Sequence, residues 1–416
     1  MTARAAALHG IPVSRGSARG LFVGGNPPAA DADDLRVRAD KAAAIAMAHA
    51  EAVDAQSRFP AEAIEAARTE RLLGAAVPRE FGGEGRTVSE IADICYALGR
   101  ACASTAMIYA MHQTKVACIV RHGRGSPWHQ LLLRRICGEQ MLLASSTTEG
   151  ERGGDIRNST APIERSGERI ALERQAAVIS YGEAADAIVT TARRSAEAAG
   201  SDQVLAVFLK HDYTLERLAN WDALGMRGTC SSGFKLKASG ASDQVLPVPY
   251  GEIHARTMMP VAHLFWSAVW AGIAAAAVER ARGFVRKATA HADGVAPPGA
   301  AHLTRAQATL RTLRETIAAA LARIEAAGDD ATILESVDFQ TALTLLKVNA
   351  SELAVAVVMS AMQACGLAGY RNDTEFSLGR HLRDILSAPV MITNDRILAN
   401  LATASLLAGV PVSLRD

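Results

Sequence analysis

The sequence has few aromatic residues, few cysteines and almost no net charge. Aromatic residues make up 5% of its 416 residues, and the formal net charge is +1. A charge so close to zero provides no attraction to nucleic acid or to a membrane surface, so we expect neither as a partner. The six cysteines are scattered without a Cys-x-x-Cys pair, which argues against a cysteine zinc site, and we expect no bound metal.

Long apolar runs are also missing. The longest, from Trp266 to Val278, is rich in alanine and too short to span a bilayer comfortably. The first residues, from Met1 to Arg4, do not lead into the continuous apolar segment of a secretory signal. We therefore expect a cytoplasmic protein that has no membrane segment.

Alanine-rich segments with helical periodicity lie on both sides of a middle segment whose pattern is typical of β-strands. Apolar residues spaced three and four apart run from residue 94 to 120 and predict one long helix there. Short β-branched runs separated by Gly, Ser and Asp predict strands at 170–172, 187–191, 204–209 and 233–236. Further helices are predicted at 262–292, 304–327 and 336–366.

These patterns predict a mainly α protein with a middle β domain and a C-terminal helical bundle. The predicted parts are a flexible N-terminal extension, an N-terminal helical domain, the β domain and the bundle, at 1–33, 34–141, 142–255 and 256–416.

Four segments resemble the motifs of the acyl-CoA dehydrogenase superfamily, in the same order. They are the turn Pro78–Gly85, the loop Ser145–Asp155, the strand region Trp221–Thr229, and the pair Gln363–Tyr370 and Arg383–Arg396. The resemblance covers most of the chain from about residue 34. It implies the fold of that family, with a β-barrel-like middle domain and a C-terminal four-helix domain.

The resemblance also implies a flavin, FAD or FMN, between the β domain and the C-terminal helices, completed by a second subunit of a homodimer or homotetramer. Thr148 and Ser180 match hydroxyl residues that contact the flavin ring, and Val178 stands where the family stacks a tryptophan. The other predicted cofactor contacts, on the adenosine side, are Gln363, Gly366 and Asn394.

The sequence departs from the family at the catalytic base. The family places a glutamate eight residues after the aspartate of its Arg-Asp pair, and eight residues after Asp384 stands Ile392. Residues 254–278, where a minority of the family supplies the acid, contain none. Gly154 replaces a serine that contacts the thioester chain. Asp395 is the one displaced acid that the pattern offers as a base.

Loss of the glutamate with retention of the scaffold also resembles dibenzothiophene monooxygenase and the two-component flavin hydroxylases. His112, on the predicted N-terminal helix, is the candidate proton donor for oxygen chemistry; its alternative is a buried histidine bonded to a carbonyl. His122 and His381 are further candidates. Trp266 and Trp270 either form the floor of the pocket or lie in the bundle core.

We therefore predict a flavin-dependent oxidoreductase with monooxygenase-like or other non-standard chemistry. The alternatives are an acyl-CoA dehydrogenase with a relocated acid and a non-catalytic flavin-binding or interaction protein. The substrate would be a small molecule, either an acyl-CoA or an aromatic or heteroatom compound. The expected redox partner is a flavin reductase or an electron-transfer flavoprotein.

Overall fold

The computed structural model describes residues 29–149, 158–407 and 413. Residues 1–28 of the predicted extension, and Gly154, lie outside this part of the chain. The first helix begins at Ala29, inside the predicted extension.

Within residues 29–149, five helices form the N-terminal domain, where alanine and other strong helix formers are frequent. A capping box starts the third helix: Thr87 accepts from the amide of Glu90, whose carboxylate accepts from the Thr87 amide at 2.7 Å. The run predicted as one helix is divided at Cys102, whose backbone is extended. The helices are α1 (Ala29–Gln56), α2 (Ala61–Thr69), α3 (Val88–Ala101), α4 (Ala103–Gly123) and α5 (Pro127–Glu139).

Seven strands in two sheets occur in the described part of residues 142–255, which confirms the predicted middle β domain. They are β1 (Leu143–Ser146), β2 (Glu164–Ser166), β3 (Arg169–Ile179), β4 (Ala187–Arg193), β5 (Gln203–Leu209), β6 (Tyr213–Ala219) and β7 (Ser232–Ala241). One sheet has the order β1-β4-β5, with β1 and β4 parallel, and the other the antiparallel order β2-β3-β7-β6. The register of β3 shifts between Ala176 and Ile179, and such a bulge redirects the side chains beside it.

As far as the structure describes it, the C-terminal domain has eight helices, and the three long ones confirm the predicted helical block. They are α6 (Tyr250–Ile253), α7 (Met259–His291), α8 (Ala300–Ala327), α9 (Ala331–Leu334), α10 (Val337–Cys365), α11 (Leu367–Tyr370), α12 (Gly379–Ile385) and α13 (Asn394–Leu407). A π-helical turn, His254–Met258, joins α6 to α7. Such turns are rare in proteins, and those that occur often lie at functional sites.

Two helical stretches, Tyr250–His291 and Val337–Cys365, are long and apolar enough to cross a membrane by length and composition alone. The most apolar window of the first is 94% buried inside the protein, and that of the second 50%. The first is apolar all round because α7 is surrounded by α3, α4, α8 and α10, as expected for a core helix.

Two of the sequence motifs join the three domains at one point. Asp384 accepts a hydrogen bond from the main-chain amide of Met226 at 2.7 Å. Arg383 forms an ion pair with Asp54 of α1. A Cβ on Gly225 would lie 2.1 Å from the carbonyl oxygen of Arg383, so only glycine fits there. These motifs therefore fix how the domains meet around the space between them.

Candidate active site

A cavity of about 1270 Å³ lies where the three domains meet. Helix α4 provides one wall, the β domain a second, and the π-helical turn with the start of α7 a third. The turn before α13 closes the remaining side, with Ile392 among its lining residues. Thr148 from one segment, and Val178 and Ser180 from another, are brought together on this one cavity.

The wall from the β domain is rich in hydroxyl groups. Ser145, Thr147 and Thr148 line the cavity at the end of β1. Val178 and Ser180 come from the end of β3, where the bulge lies. Val178 is 38% exposed, so this position of the wall presents an accessible aliphatic side chain and not the ring of a tryptophan. Hydroxyls around a flat space offer hydrogen bonds to the heteroatoms of a ring system.

Ser180 is the end of a chain of hydrogen bonds. Its Oγ lies 2.7 Å from Ser231 Oγ, which lies 2.8 Å from Thr229 Oγ1. The Thr229 hydroxyl donates to the carbonyl of Met226 at 2.8 Å. Since each hydroxyl has one proton, Ser231 then donates to Thr229, and Ser180 donates to Ser231. Ser180 is left with oxygen lone pairs that can accept from a ligand.

The same chain can run in the opposite direction. If all three protons reverse, Ser180 becomes a donor toward the cavity and Thr229 no longer donates to Met226. The carbonyl of Met226 still accepts from Trp221 Nε1 at 3.0 Å, so reversal does not leave that oxygen unpaired. In one direction the chain therefore lets Ser180 accept a hydrogen bond from a protonated ligand atom. In the other direction Ser180 donates a hydrogen bond to an unprotonated ligand atom.

Trp266 and Tyr250 line the cavity with buried polar atoms that lack partners. Trp266 is 9% exposed, and neither its Nε1 nor the Tyr250 hydroxyl has a hydrogen-bond partner within the described structure. Trp270 is fully buried and does not line the cavity. Trp266 therefore forms part of the pocket wall, and Trp270 lies in the core.

His112 is not placed for the proton transfer predicted from the sequence. It is fully buried, and the cavity lining in the described chain does not include it. Its Nε2 lies 2.9 Å from the carbonyl of Leu73, and its Nδ1 accepts from the amide of Leu143 at 3.1 Å. Burial lowers its pKa to about 4, so it is neutral near pH 7. The observed role is structural: the imidazole ties α4 to the start of β1.

The other histidines raised by the sequence are also internal. Nε2 of His122 lies 2.9 Å from Thr257 Oγ1, and burial lowers the pKa of His122 to about 3. His381 is buried, and burial holds its pKa well below the usual value. Sequence reasoning missed two histidines that do line the cavity, His254 and His263. The Nδ1 of His263 lies 2.9 Å from the carbonyl of Leu343. The sequence feature that could have indicated His263 is its position as a polar residue within the apolar first turns of α7.

Asp395 does not occupy the place of a displaced base either. It is exposed on the first turn of α13, and the described cavity lining does not include it. Its neighbours Ile392 and Arg396 face the cavity instead. Ile392 has a φ of 48°, a conformation that β-branched residues rarely adopt. That left-handed turn sets which of these side chains points inward.

Two carboxylates line the cavity within the described chain, and both are paired. Glu149 accepts from Ser159 Oγ at 2.6 Å and from the Thr160 amide at 2.8 Å, and lies 3.6 Å from Arg174. Burial alone would raise the pKa of Glu149, but these hydrogen bonds hold it below the usual value. Glu335 accepts from Arg256 Nε at 2.7 Å. Neither is an unengaged base.

Asn394 lies in a buried polar cluster and not on the cavity surface. Lys347 Nζ donates to Asn394 Oδ1 at 2.7 Å and to the carbonyl of Ile392 at 2.9 Å. The Asn394 amide donates to Ser351 Oγ at 3.0 Å. Burial lowers the pKa of Lys347 to about 8. The cluster therefore fixes the backbone of the turn that presents Ile392. Asn394 contributes to that turn and does not contact the cavity.

Gln363 and Gly366 are not brought to this cavity. Gln363 is exposed near the end of α10, and Gly366 ends that helix with a φ of 53°. Its amide donates to the carbonyl of Met362 at 2.9 Å, as in a helix C-cap. Contact with a cofactor bound to a second subunit stays a prediction for these residues. No cluster of three or more metal ligands occurs in the part of the chain that the structure describes.

Comparison with known proteins agrees with this architecture. Residues 30–132 match the family described as "Acyl-CoA dehydrogenase, N-terminal domain", and residues 254–407 match "Acyl-CoA dehydrogenase, C-terminal domain". Together these segments make up more than half of the chain.

Relatives of two chemical kinds are similar along most of their length. Cyclohex-1-ene-1-carbonyl-CoA dehydrogenase of Geobacter metallireducens is 27% identical over 337 residues, which are 80% of this chain and 86% of that protein. L-evernosamine nitrososynthase of a Micromonospora species is 27% identical over 353 residues, which are 81% of this chain and 81% of that protein.

 

Among solved structures, FMN-bound TdsC of Paenibacillus sp. A11-2 superposes with a TM-score of 0.78 at 18% identity, over 92% of this chain and 100% of that chain. At that identity the likeness shows the fold.

Proposed function

The chain belongs to the acyl-CoA dehydrogenase family, and from that membership we propose that it is a flavin-dependent oxidoreductase whose flavin, FAD or FMN, binds in the cavity between the three domains. Within the family, we propose oxygen-using, monooxygenase-like chemistry and not the desaturation of acyl-CoA thioesters.

The cavity lining is the observation that carries this choice. Desaturation of an acyl thioester requires a base beside the α-carbon. Ile392 lines the cavity at the position where the motif predicts that base. The two carboxylates of the described lining, Glu149 and Glu335, already accept hydrogen bonds. A reaction that needs no carboxylate base fits this lining better.

The residues present fit a flavin ring. The hydroxyls of Thr148 and Ser180 provide hydrogen bonds on the β-domain wall. Trp266 Nε1 is a buried donor without a partner in the described structure, as expected where a ligand supplies the acceptor. A bound flavin supplies electron transfer and, once reduced, reaction with dioxygen.

The chain's own contribution is to hold protons and to exclude water. Reversal of the hydroxyl chain lets Ser180 accept from a protonated ring nitrogen or donate to an unprotonated one. Met107, Met111 and Met259 give the cavity apolar walls that limit water near the reacting atoms. His263 lines the same space, and burial lowers its pKa to about 4, so at neutral pH it is a neutral hydrogen-bonding group.

One specific observation favours a second candidate function. The similarity to cyclohex-1-ene-1-carbonyl-CoA dehydrogenase extends over 80% of this chain, so an acyl-CoA dehydrogenase with a relocated acid is the alternative. Glu149 and Glu335, the two carboxylates of the described lining, are then the residues to mutate first.

Oxygen consumption tests the proposal. The purified protein is supplied with FMN or FAD, a flavin reductase and NADH, and oxygen uptake is followed with and without aromatic compounds. We expect the protein to bind reduced flavin and to change the rate or yield of oxygen uptake relative to free flavin. A protein that binds neither flavin would contradict the proposal and favour a non-catalytic role.

A further inference from the structure

We propose that Lys115 and Tyr250 form an anion subsite of the cavity, which binds the carboxylate or an equivalent oxyanion of a substrate with an apolar, aromatic body. The inference rests on the proposed function, because it assumes that the cavity also holds the flavin.

Lys115 is a buried ammonium group without a carboxylate partner in the described chain. It lies on α4, lines the cavity and is 5% exposed. Its Nζ has one hydrogen-bond contact, 2.9 Å to the thioether sulfur of Met258, and sulfur is a weak acceptor. Buried charges are normally paired. Lys347, the other buried lysine, shows the usual arrangement, with two oxygen acceptors.

Tyr250 provides a second unused donor on the same cavity. It is 1% exposed, and its hydroxyl has no hydrogen-bond partner in the structure described. Three other buried tyrosines, Tyr109, Tyr181 and Tyr213, each donate to a main-chain carbonyl. Tyr250 differs from them in lining the cavity. A ligand oxygen would satisfy it.

The surroundings of Lys115 indicate what the anion is attached to. Met258 contacts the Lys115 ammonium, and Met107, Met111 and Met259 line the same cavity. Methionine side chains adapt to flat apolar groups and make favourable sulfur–aromatic contacts. An ammonium and a phenol on a cavity with these methionines match a molecule that carries one anionic oxygen group on an aromatic body.

The test compares two ligands of nearly equal shape and different charge, 2-naphthoate and 2-naphthamide. Their dissociation constants are measured by calorimetry on the protein with and without FMN. We expect wild type to bind the carboxylate at least about tenfold more tightly than the amide, a typical effect of one charged hydrogen bond. In Lys115→Met the preference should disappear, in Lys115→Arg it should persist in part, and in Tyr250→Phe it should fall.

A matched control is Lys237→Met, which removes one exposed positive charge from β7 and should leave the preference unchanged. Equal affinities for the two naphthalenes in wild type would overturn the proposal. It would also be overturned if Lys115→Met left the naphthoate preference intact but abolished a preference for FMN over riboflavin, because the lysine would then bind the cofactor phosphate.

The failures of the two proposals are distinguishable. If the protein prefers naphthoate but binds no flavin, the anion subsite is supported and the proposed function is wrong. If the protein binds flavin and reacts with oxygen but does not discriminate between the two ligands, only the proposed subsite is wrong.

Discussion

Removal of the two hydroxyls on the β-domain wall should weaken flavin binding by a predictable amount. The change is Thr148→Val together with Ser180→Ala. Each substitution removes one buried hydrogen bond to the ring, worth about 1 kcal/mol. Since about 1.4 kcal/mol is a factor of ten in affinity, each single variant should lose roughly fivefold and the double variant roughly thirtyfold. Ser231 and Thr229 keep their own hydrogen bond, so the wall itself should not collapse.

The assay is a titration of FMN and FAD followed by quenching of flavin fluorescence. Ser166→Ala, on the exposed strand β2, is the control for loss of a serine hydroxyl. Thermal unfolding of every variant checks that the domain is intact. A double variant with the affinity of wild type would refute the placement of the flavin against this wall.

Three further predictions concern other parts of the molecule. Ile392→Glu should give trace acyl-CoA desaturation where wild type gives none, because a general base contributes about 10²- to 10⁴-fold; a dye-reduction assay that finds robust activity in wild type would contradict this. Burial raises the pKa of Asp384 from 3.8 to about 6, so its stabilising effect is present below pH 4 and is lost as pH rises through 6. Wild type should therefore lose about 2 kcal/mol relative to Asp384→Asn between pH 4 and pH 6, and urea unfolding with no such difference would argue against it. Leu367 and Tyr370 are 71% and 75% exposed at the end of the bundle, so light scattering should find an oligomer, and a clean monomer at micromolar concentration would count against a shared site.

The sequence predicted the architecture well because its signals are local. Helical spacing, β-branched runs and turn residues each depend on neighbours a few positions away. The break at Cys102 was missed because the apolar spacing continues through it on both sides. Thr148, Val178 and Ser180, which the motifs singled out, line one cavity, and their contact with a flavin stays a prediction.

The chemical roles of individual side chains depended on contacts between distant segments. His112 is engaged by Leu73 and Leu143, and no spacing in the sequence indicates that pairing. The direction of Asp395 follows from the left-handed backbone of Ile392, which sequence periodicity does not reveal. Lys115 gave no signal either, since its lack of a carboxylate partner is a property of the folded chain.

The most direct test of the central claim is an anaerobic absorbance measurement on flavin-loaded protein. Cyclohex-1-ene-1-carbonyl-CoA, or another acyl-CoA, is added to the oxidised yellow protein, and the visible flavin band is followed. The account predicts that the band persists, because the described cavity offers no free carboxylate to remove the α-proton, and that chemically reduced protein regains the band when oxygen is admitted. Rapid bleaching by the acyl-CoA would contradict the account and would identify the protein as a dehydrogenase.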